Sequence, residues 1–212
     1  MLVFANANLV LFAVPKTGST AYHLALRRKA DIVLSGRAGI KHLTVRKYDQ
    51  HFAPYLAAAH GLVPERVAVI RDPLEYLRSW YRYRQRSDGP AGRKQVHDLS
   101  FDDFVLAALA PRPAAFAKVG SQRAFVSSRK NEIRVDHLFA YERPVVFRDF
   151  LQARLGYAVK PGQKNVSPPV DTVISDAVLD QLRKAQAAEF ALHDAIMAAG
   201  GHLVTPLERD AG

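Results

Sequence analysis

Lys16 heads the residues of this 212-residue chain whose type and setting could do chemistry. It stands in Pro15-Lys16-Thr17-Gly18-Ser19-Thr20, directly after the apolar run Leu9 to Val14. That run is short and bulky and ends at a proline, the pattern of a buried strand, and a helix is expected from the loop to about Ala30. Gly18 can take a backbone conformation that other residues avoid, and Ser19 or Thr20 can cap the helix. A helix N-terminus offers unpaired N–H groups and about half a positive charge, which suits a phosphate or sulfate group, and Lys16 adds a full charge there. Arg71 repeats the arrangement at the end of a second apolar strand, Arg66 to Ile70, just before Asp72-Pro73-Leu74-Glu75. Asp72 is placed as N-cap, Pro73 at the first helical position and Glu75 three residues after the cap. Ser79 follows eight residues after Arg71. A guanidinium binds phosphate through two parallel hydrogen bonds, and a nearby hydroxyl can give a third.

The nucleotide-binding P-loop, GxxxxGK[ST], differs from this loop: the lysine precedes the glycine and the first glycine is missing, which argues against an ordinary ATP or GTP site. The pattern instead resembles the 5′-phosphosulfate loop of sulfotransferases that use PAPS (3′-phosphoadenosine 5′-phosphosulfate), in which a PKxGST-like turn follows the first strand. The second motif is similar to that family's RDPxxRxxSxY element, whose arginine and serine hold the 3′-phosphate; Arg71 and Ser79 fall at those positions. Tyr76 stands where many members carry a second arginine, and Arg78 is the candidate to compensate. The resemblance runs from about Leu9 to Ser167. Within it, Tyr141-Glu142 with Leu155-Gly156 looks like the later nucleotide-binding core, Lys164-Asn165-Val166-Ser167 like the loop that closes over the site in the carbohydrate branch, and Gln122 like a residue near the acceptor. Each of these three, taken alone, is equally well a turn residue or a buried polar contact.

The resemblance implies a P-loop-like α/β fold, PAPS as cofactor with PAP as its product, and a hydroxyl acceptor, possibly a carbohydrate. Pro15, Lys16, Thr17, Gly18, Ser19, Thr20, Arg71 and Ser79 would bind the cofactor. Sulfuryl transfer, like phosphoryl transfer, needs in-line placement and donors for charge developing on the leaving oxygen, and Lys16 with the loop N–H groups can supply them. The acceptor hydroxyl also needs a base. His42 is the first choice, since it lies in a loop before a helix and histidine titrates near neutral pH; Glu142 and His97 are the alternatives. The chain has eight histidines, and most of any such set are surface or core residues. No pair sits at metal-ligand spacing, and no metal is expected.

The elements that must position these groups alternate. Asp31 to Leu34 reads as a short strand, Thr44 caps a helix stopped by Gly61, and the helix begun at Asp72 should reach about Arg86. Ser87 to Asp98 reads as a loop, Ser100 with Asp103 opens another helix, and Val135 to Tyr141 reads as a strand. A helix from Arg143 to Leu155 should end at Gly156, and a last one from Ser175 should run to about Ala199. The expected architecture is a three-layer α/β fold with a mostly parallel central sheet, ligand at the strands' carboxyl ends.

Length suits a single domain over residues 1–212, and 49% hydrophobic with 24% charged residues is a globular composition. With no cysteine there is no disulfide or thiolate metal site. The N-terminus lacks a basic n-region and its apolar run is too short to span a bilayer, so a soluble cytoplasmic protein is expected, unlike the Golgi-anchored eukaryotic carbohydrate sulfotransferases. The net charge of +10 favours anionic partners. Two rivals remain: a nucleotide kinase of similar fold, against which the loop's residue order argues, and a basic non-catalytic nucleic-acid-binding protein. Against the latter, no zinc-finger, RRM-like or KH-like signature is present and the basic residues are spread along the chain.

Overall fold

The computed structural model describes residues 1–85, 98–162 and 170–207. Arg86, most of the expected loop after it including His97, and the segment from Lys164 to Ser167 lie outside the described residues.

Six strands form one sheet: β1 (Leu2–Phe4), β2 (Leu9–Leu11), β3 (Ile32–Val33), β4 (Glu65–Ile70), β5 (His137–Ala140) and β6 (His202–Val204), in the order β3-β1-β2-β4-β5-β6. β2, β4 and β5 are parallel at the centre. β1 pairs antiparallel with both β2 and β3, and β6 pairs antiparallel with β5. The sheet is therefore mixed, parallel only at β2, β4 and β5; β3, also expected as a strand, lies antiparallel to its neighbour. β1 and β6, which sequence reasoning missed, are three residues each and too short to show a period.

Side chains alternate between two faces, as the strand period of two requires. Val3, Val10, Ala68, Ile70 and Leu138 join one cluster with Tyr48, Leu56, Phe125 and Ile196. Leu2, Leu9, Leu11, Val67, Val69 and Phe139 join another with Leu26, Phe147 and Leu151. Both faces are thus covered by helices, the reason the central strands read as nearly unbroken apolar runs. On the first face lie α3 (Val45–Lys47), a π-helical turn (Tyr48–Phe52), α4 (Ala53–His60), α7 (Gln122–Phe125) and α10 (Ala187–Ala198); on the second lie α1 (Ser19–Leu26) and α8 (Pro144–Leu155). A third cluster joins α5 (Pro73–Arg84), α6 (Phe101–Leu109) and α9 (Asp176–Ala185) through Leu77, Tyr81, Phe104 and Leu182.

Most helix starts follow local chemistry. The Asp72 carboxylate accepts from Glu75 N at 2.8 Å, Ser100 and Asp103 form a reciprocal capping box, and the Ser175 hydroxyl caps α9. Gly61 and Gly156 end α4 and α8 with φ of 62° and 76°, the left-handed turn glycine favours. Two expectations need correction. The helix expected from Ser175 to Ala199 is broken at Gln186, whose φ of −114° and ψ of 28° separate α9 from α10. Neither Ser19 nor Thr20 caps α1: Gly18 takes that position at φ 71° with no side-chain cap bond. Among the described residues no helix is long and apolar enough to cross a membrane.

Candidate functional site

The three parallel strands end side by side, and each delivers one part of the site at its carboxyl end. Beyond β2 come Pro15 and Lys16, beyond β4 comes Arg71, and beyond β5 come Tyr141 and Glu142. The loop after β2 is folded back by two left-handed residues, Lys16 at φ 63° and Gly18 at φ 71°. For lysine that conformation costs about 1–2 kcal/mol, the kind of strain that collects at ligand sites. Thr17 is buried and donates its hydroxyl to Val14 O at 3.0 Å, which anchors the turn. With Gly18 as cap, no side chain makes a cap hydrogen bond at the start of α1, so the N–H groups there can serve an external acceptor.

The Lys16 ammonium lies over the rings of Tyr83, at 4.2 Å, and Trp80, at 5.6 Å, both on α5. Cation–π contacts of this kind are worth about 0.5–1 kcal/mol at exposed sites, small enough to yield to an anion. Arg71 reaches toward the same loop. Its Nη1 donates to Lys16 O at 3.4 Å, its Nη2 sits 3.4 Å from Glu75 Oε2, and its guanidinium lies 4.5 Å from the centroid of the Tyr141 ring. Both polar contacts are long, and the buried Nε–H has no partner among the described residues. The backbone of Arg71 is firmly held, because the Gln122 carboxamide accepts from Arg71 N at 3.0 Å and donates to Arg71 O at 2.7 Å. Tyr141 also closes over the loop: a Cβ on Gly18 would come within 3.2 Å of its ring, a tight contact that adds to the preference for glycine set by φ. Ser79 is half-buried on α5, one turn beyond Glu75 on the same stripe.

The departure at Tyr76 has a structural resolution. Its ring is buried and its hydroxyl donates to Val119 O at 2.8 Å, so this position supports the 119–122 segment in place of binding an anion. Arg78 is committed elsewhere, to Glu75 at 2.7 Å and to Thr172 O at 3.3 Å. Arg71 is therefore the guanidinium that the motif brings to the loop.

His42 follows α2 (Ala38–Lys41), and its Nδ1 lies 2.6 Å from Ala13 O. A carbonyl only accepts, so Nδ1 carries the proton and the lone pair of the neutral ring falls on Nε2. Burial pushes the His42 pKa below the ordinary histidine value, and the neighbouring Lys41 charge adds to this against the opposing bond to Ala13. The ring is thus neutral near pH 7, with its basic nitrogen defined. Glu142, the alternative base, is engaged structurally: it accepts from Asp72 N at 2.9 Å and from His193 Nε2 at 3.0 Å. Burial pushes its carboxyl up, but these bonds outweigh that and hold it below the usual range. His97 lies outside the described residues.

Lys41 is a further candidate that sequence reasoning missed. Its ammonium donates to Thr20 Oγ1 at 2.8 Å in the first turn of α1, burial lowers its pKa, and it forms no ion pair with a described residue. Nothing in the local sequence marks it; only the return of the chain across β2 brings residue 41 to residue 20. Among the described residues no group of three histidine or acidic side chains could hold a metal ion.

The donors at the start of α1 and at Arg71 suit two anionic groups, as the two ends of PAPS would require. An uncapped helix start flanked by Lys16 and Lys41 suits a phosphosulfate, and Arg71, with long contacts and an orphaned Nε–H, suits a second phosphate on the same molecule. No protein-family model matches the chain, and no curated protein or solved structure matches it either.

Proposed function

We propose that the chain is a PAPS-dependent sulfotransferase of P-loop-like α/β fold, moving a sulfuryl group to a hydroxyl of a sugar, glycan or other small-molecule acceptor and leaving PAP. The observation that carries this reading is the convergence of two motifs 55 residues apart, with Arg71 Nη1 reaching Lys16 O at the carboxyl ends of adjacent parallel strands. Bound PAPS supplies an activated sulfuryl group on a phosphate leaving group. Lys16 leaves its aromatic contacts to neutralise charge growing on the leaving oxygen, aided by the N–H groups at the start of α1. Arg71 and Ser79 bind the 3′-phosphate, with Glu75 retained by Arg78. His42 accepts the hydroxyl proton at Nε2 while Ala13 O fixes the ring orientation.

A nucleotide kinase of similar fold would need the lysine after the glycine, where Ser19 stands. A nucleic-acid binder would use the charge of +10 without needing the strained loop. The deciding experiment is titration with PAP, AMP and generic DNA at several salt concentrations. PAP should raise the melting temperature more than AMP does, with weak and non-selective DNA binding. Equal shifts for PAP and AMP, or steeply salt-dependent DNA affinity without PAP recognition, would refute the proposal.

A further inference from the structure

Beside the loop, on the side of Pro15, opens a cleft of about 300 Å³. Its walls include Pro15, Tyr76, Val119 and Phe125, together with Thr44, Arg46, Ser121 and Gln122. His42 is anchored to the residue before Val14 and precedes Thr44 by two, and both Val14 and Thr44 line this space. The hydrogen-bonding capacity of the walls is largely spent inside the protein. Tyr76 donates its hydroxyl to Val119 O, and both ends of the Gln122 carboxamide hold the Arg71 backbone. Ser121 Oγ donates to Glu189 and accepts from Ala124 N at 2.8 Å. Thr44 Oγ1 receives only a long bond, 3.4 Å, from Lys47 N. Arg46 is exposed at the cleft and makes no side-chain hydrogen bond or ion pair with a described residue, and no acidic residue lines the space.

We propose that this cleft is the acceptor site and that it takes a small amphipathic hydroxy acid, with an apolar or aromatic body against Pro15, Tyr76, Val119 and Phe125 and an anionic group on Arg46. This rests on the sulfotransferase reading for the fate of the hydroxyl; the preference for an acid follows from the walls themselves. A sugar presents several hydroxyl groups, and against walls whose side-chain polar atoms, Thr44 Oγ1 apart, are already committed, every one buried without a partner would cost about 1–3 kcal/mol. An apolar body avoids that cost, as in most small-molecule pockets, and a single charge fixes its orientation. Among the described residues of the lining Arg46 carries the one charge, since burial keeps the Tyr76 hydroxyl neutral, so Arg46 is the group that can read charge there.

The test is calorimetric binding of 4-hydroxyphenylacetate, its methyl ester and methyl glucoside, with and without saturating PAP, to the native protein and to Arg46→Met. The acid should bind about fivefold tighter than the ester, as a solvent-facing ion pair allows. Methyl glucoside should bind weakest. Arg46→Met should abolish the difference between acid and ester while PAP binding, measured first, shows that the variant is folded. An acid no tighter than its ester, a preference for the glucoside, a difference that persists in Arg46→Met, or no binding of any of the three overturns the inference. Loss of PAP binding to the native protein would instead remove the sulfotransferase reading, and acid selectivity measured without PAP would still decide the character of the cleft.

Discussion

Replacing Arg71 with alanine separates recognition of the 3′-phosphate from recognition of the rest of the nucleotide. The fold should survive, because the Gln122 carboxamide grips the Arg71 backbone in both directions and needs nothing from its side chain. What the free protein loses is small. The contacts to Lys16 O and Glu75 are both 3.4 Å, too long for strong hydrogen bonds, and the stacking on the half-exposed Tyr141 is worth about 0.5–1 kcal/mol. A phosphate at this position would exchange those weak contacts for charge-assisted bonds and would give the orphaned Nε–H a partner, so its net gain should be about 2 kcal/mol. That corresponds to about a 30-fold change in affinity. Titration of PAP and AMP by calorimetry or melting shift should therefore show Arg71→Ala weakening PAP by about 30-fold and AMP by less than about threefold. Equal losses for the two nucleotides would mean that Arg71 holds the loop and not the 3′-phosphate, and a native protein that cannot tell PAP from AMP would refute the whole line of reasoning.

Lys16→Ala should lower turnover by about a hundredfold, as loss of one preorganised donor commonly does, and a variant with normal turnover but weakened PAP affinity would reassign the lysine to binding. His42→Ala should bind PAP normally yet lose turnover; in the native protein the acidic limb of activity should fall below pH 6.5, because burial depresses the His42 pKa, and an unchanged limb in the variant would sink the assignment. Away from the transfer chemistry, the Glu142 bond holds His193 above its ordinary value, so this contribution to stability is complete below about pH 6.5 and lost as pH rises through the folded-state value. His193→Gln should destabilise the protein by about 1–2 kcal/mol at pH 6 and flatten the decline toward pH 8, as read by denaturant melts at each pH. Identical pH profiles for native and variant proteins would show that the bond carries no linked stability.

The sequence by itself determined the features whose information is local. An unbroken apolar run announces a buried strand, so β2, β4 and β5 were legible, and Asp72-Pro73 with Glu75, Ser100 with Asp103, Gly61 and Gly156 marked helix ends because caps and left-handed turns depend on a few adjacent residues. The turns that carry Lys16 and Arg71, each after a strand and before a helix, were legible for the same reason. Only the tertiary structure decided what depends on chain return. β1 and β6 exist because they pair with longer neighbours in the sheet, not because three residues declare a strand, and Gly18 stands at the cap in a left-handed conformation beneath Tyr141, 123 residues away. Lys41 at Thr20, His42 on Ala13 O, and Arg46 beside a cleft walled by Tyr76, Val119 and Gln122 are relations across elements, set by packing on both faces of the sheet. A hydrogen bond between residues far apart in sequence leaves no trace in either local pattern, which is why the tautomer of His42, the partner of Glu142 and the role of Tyr76 appeared only once the chain was folded.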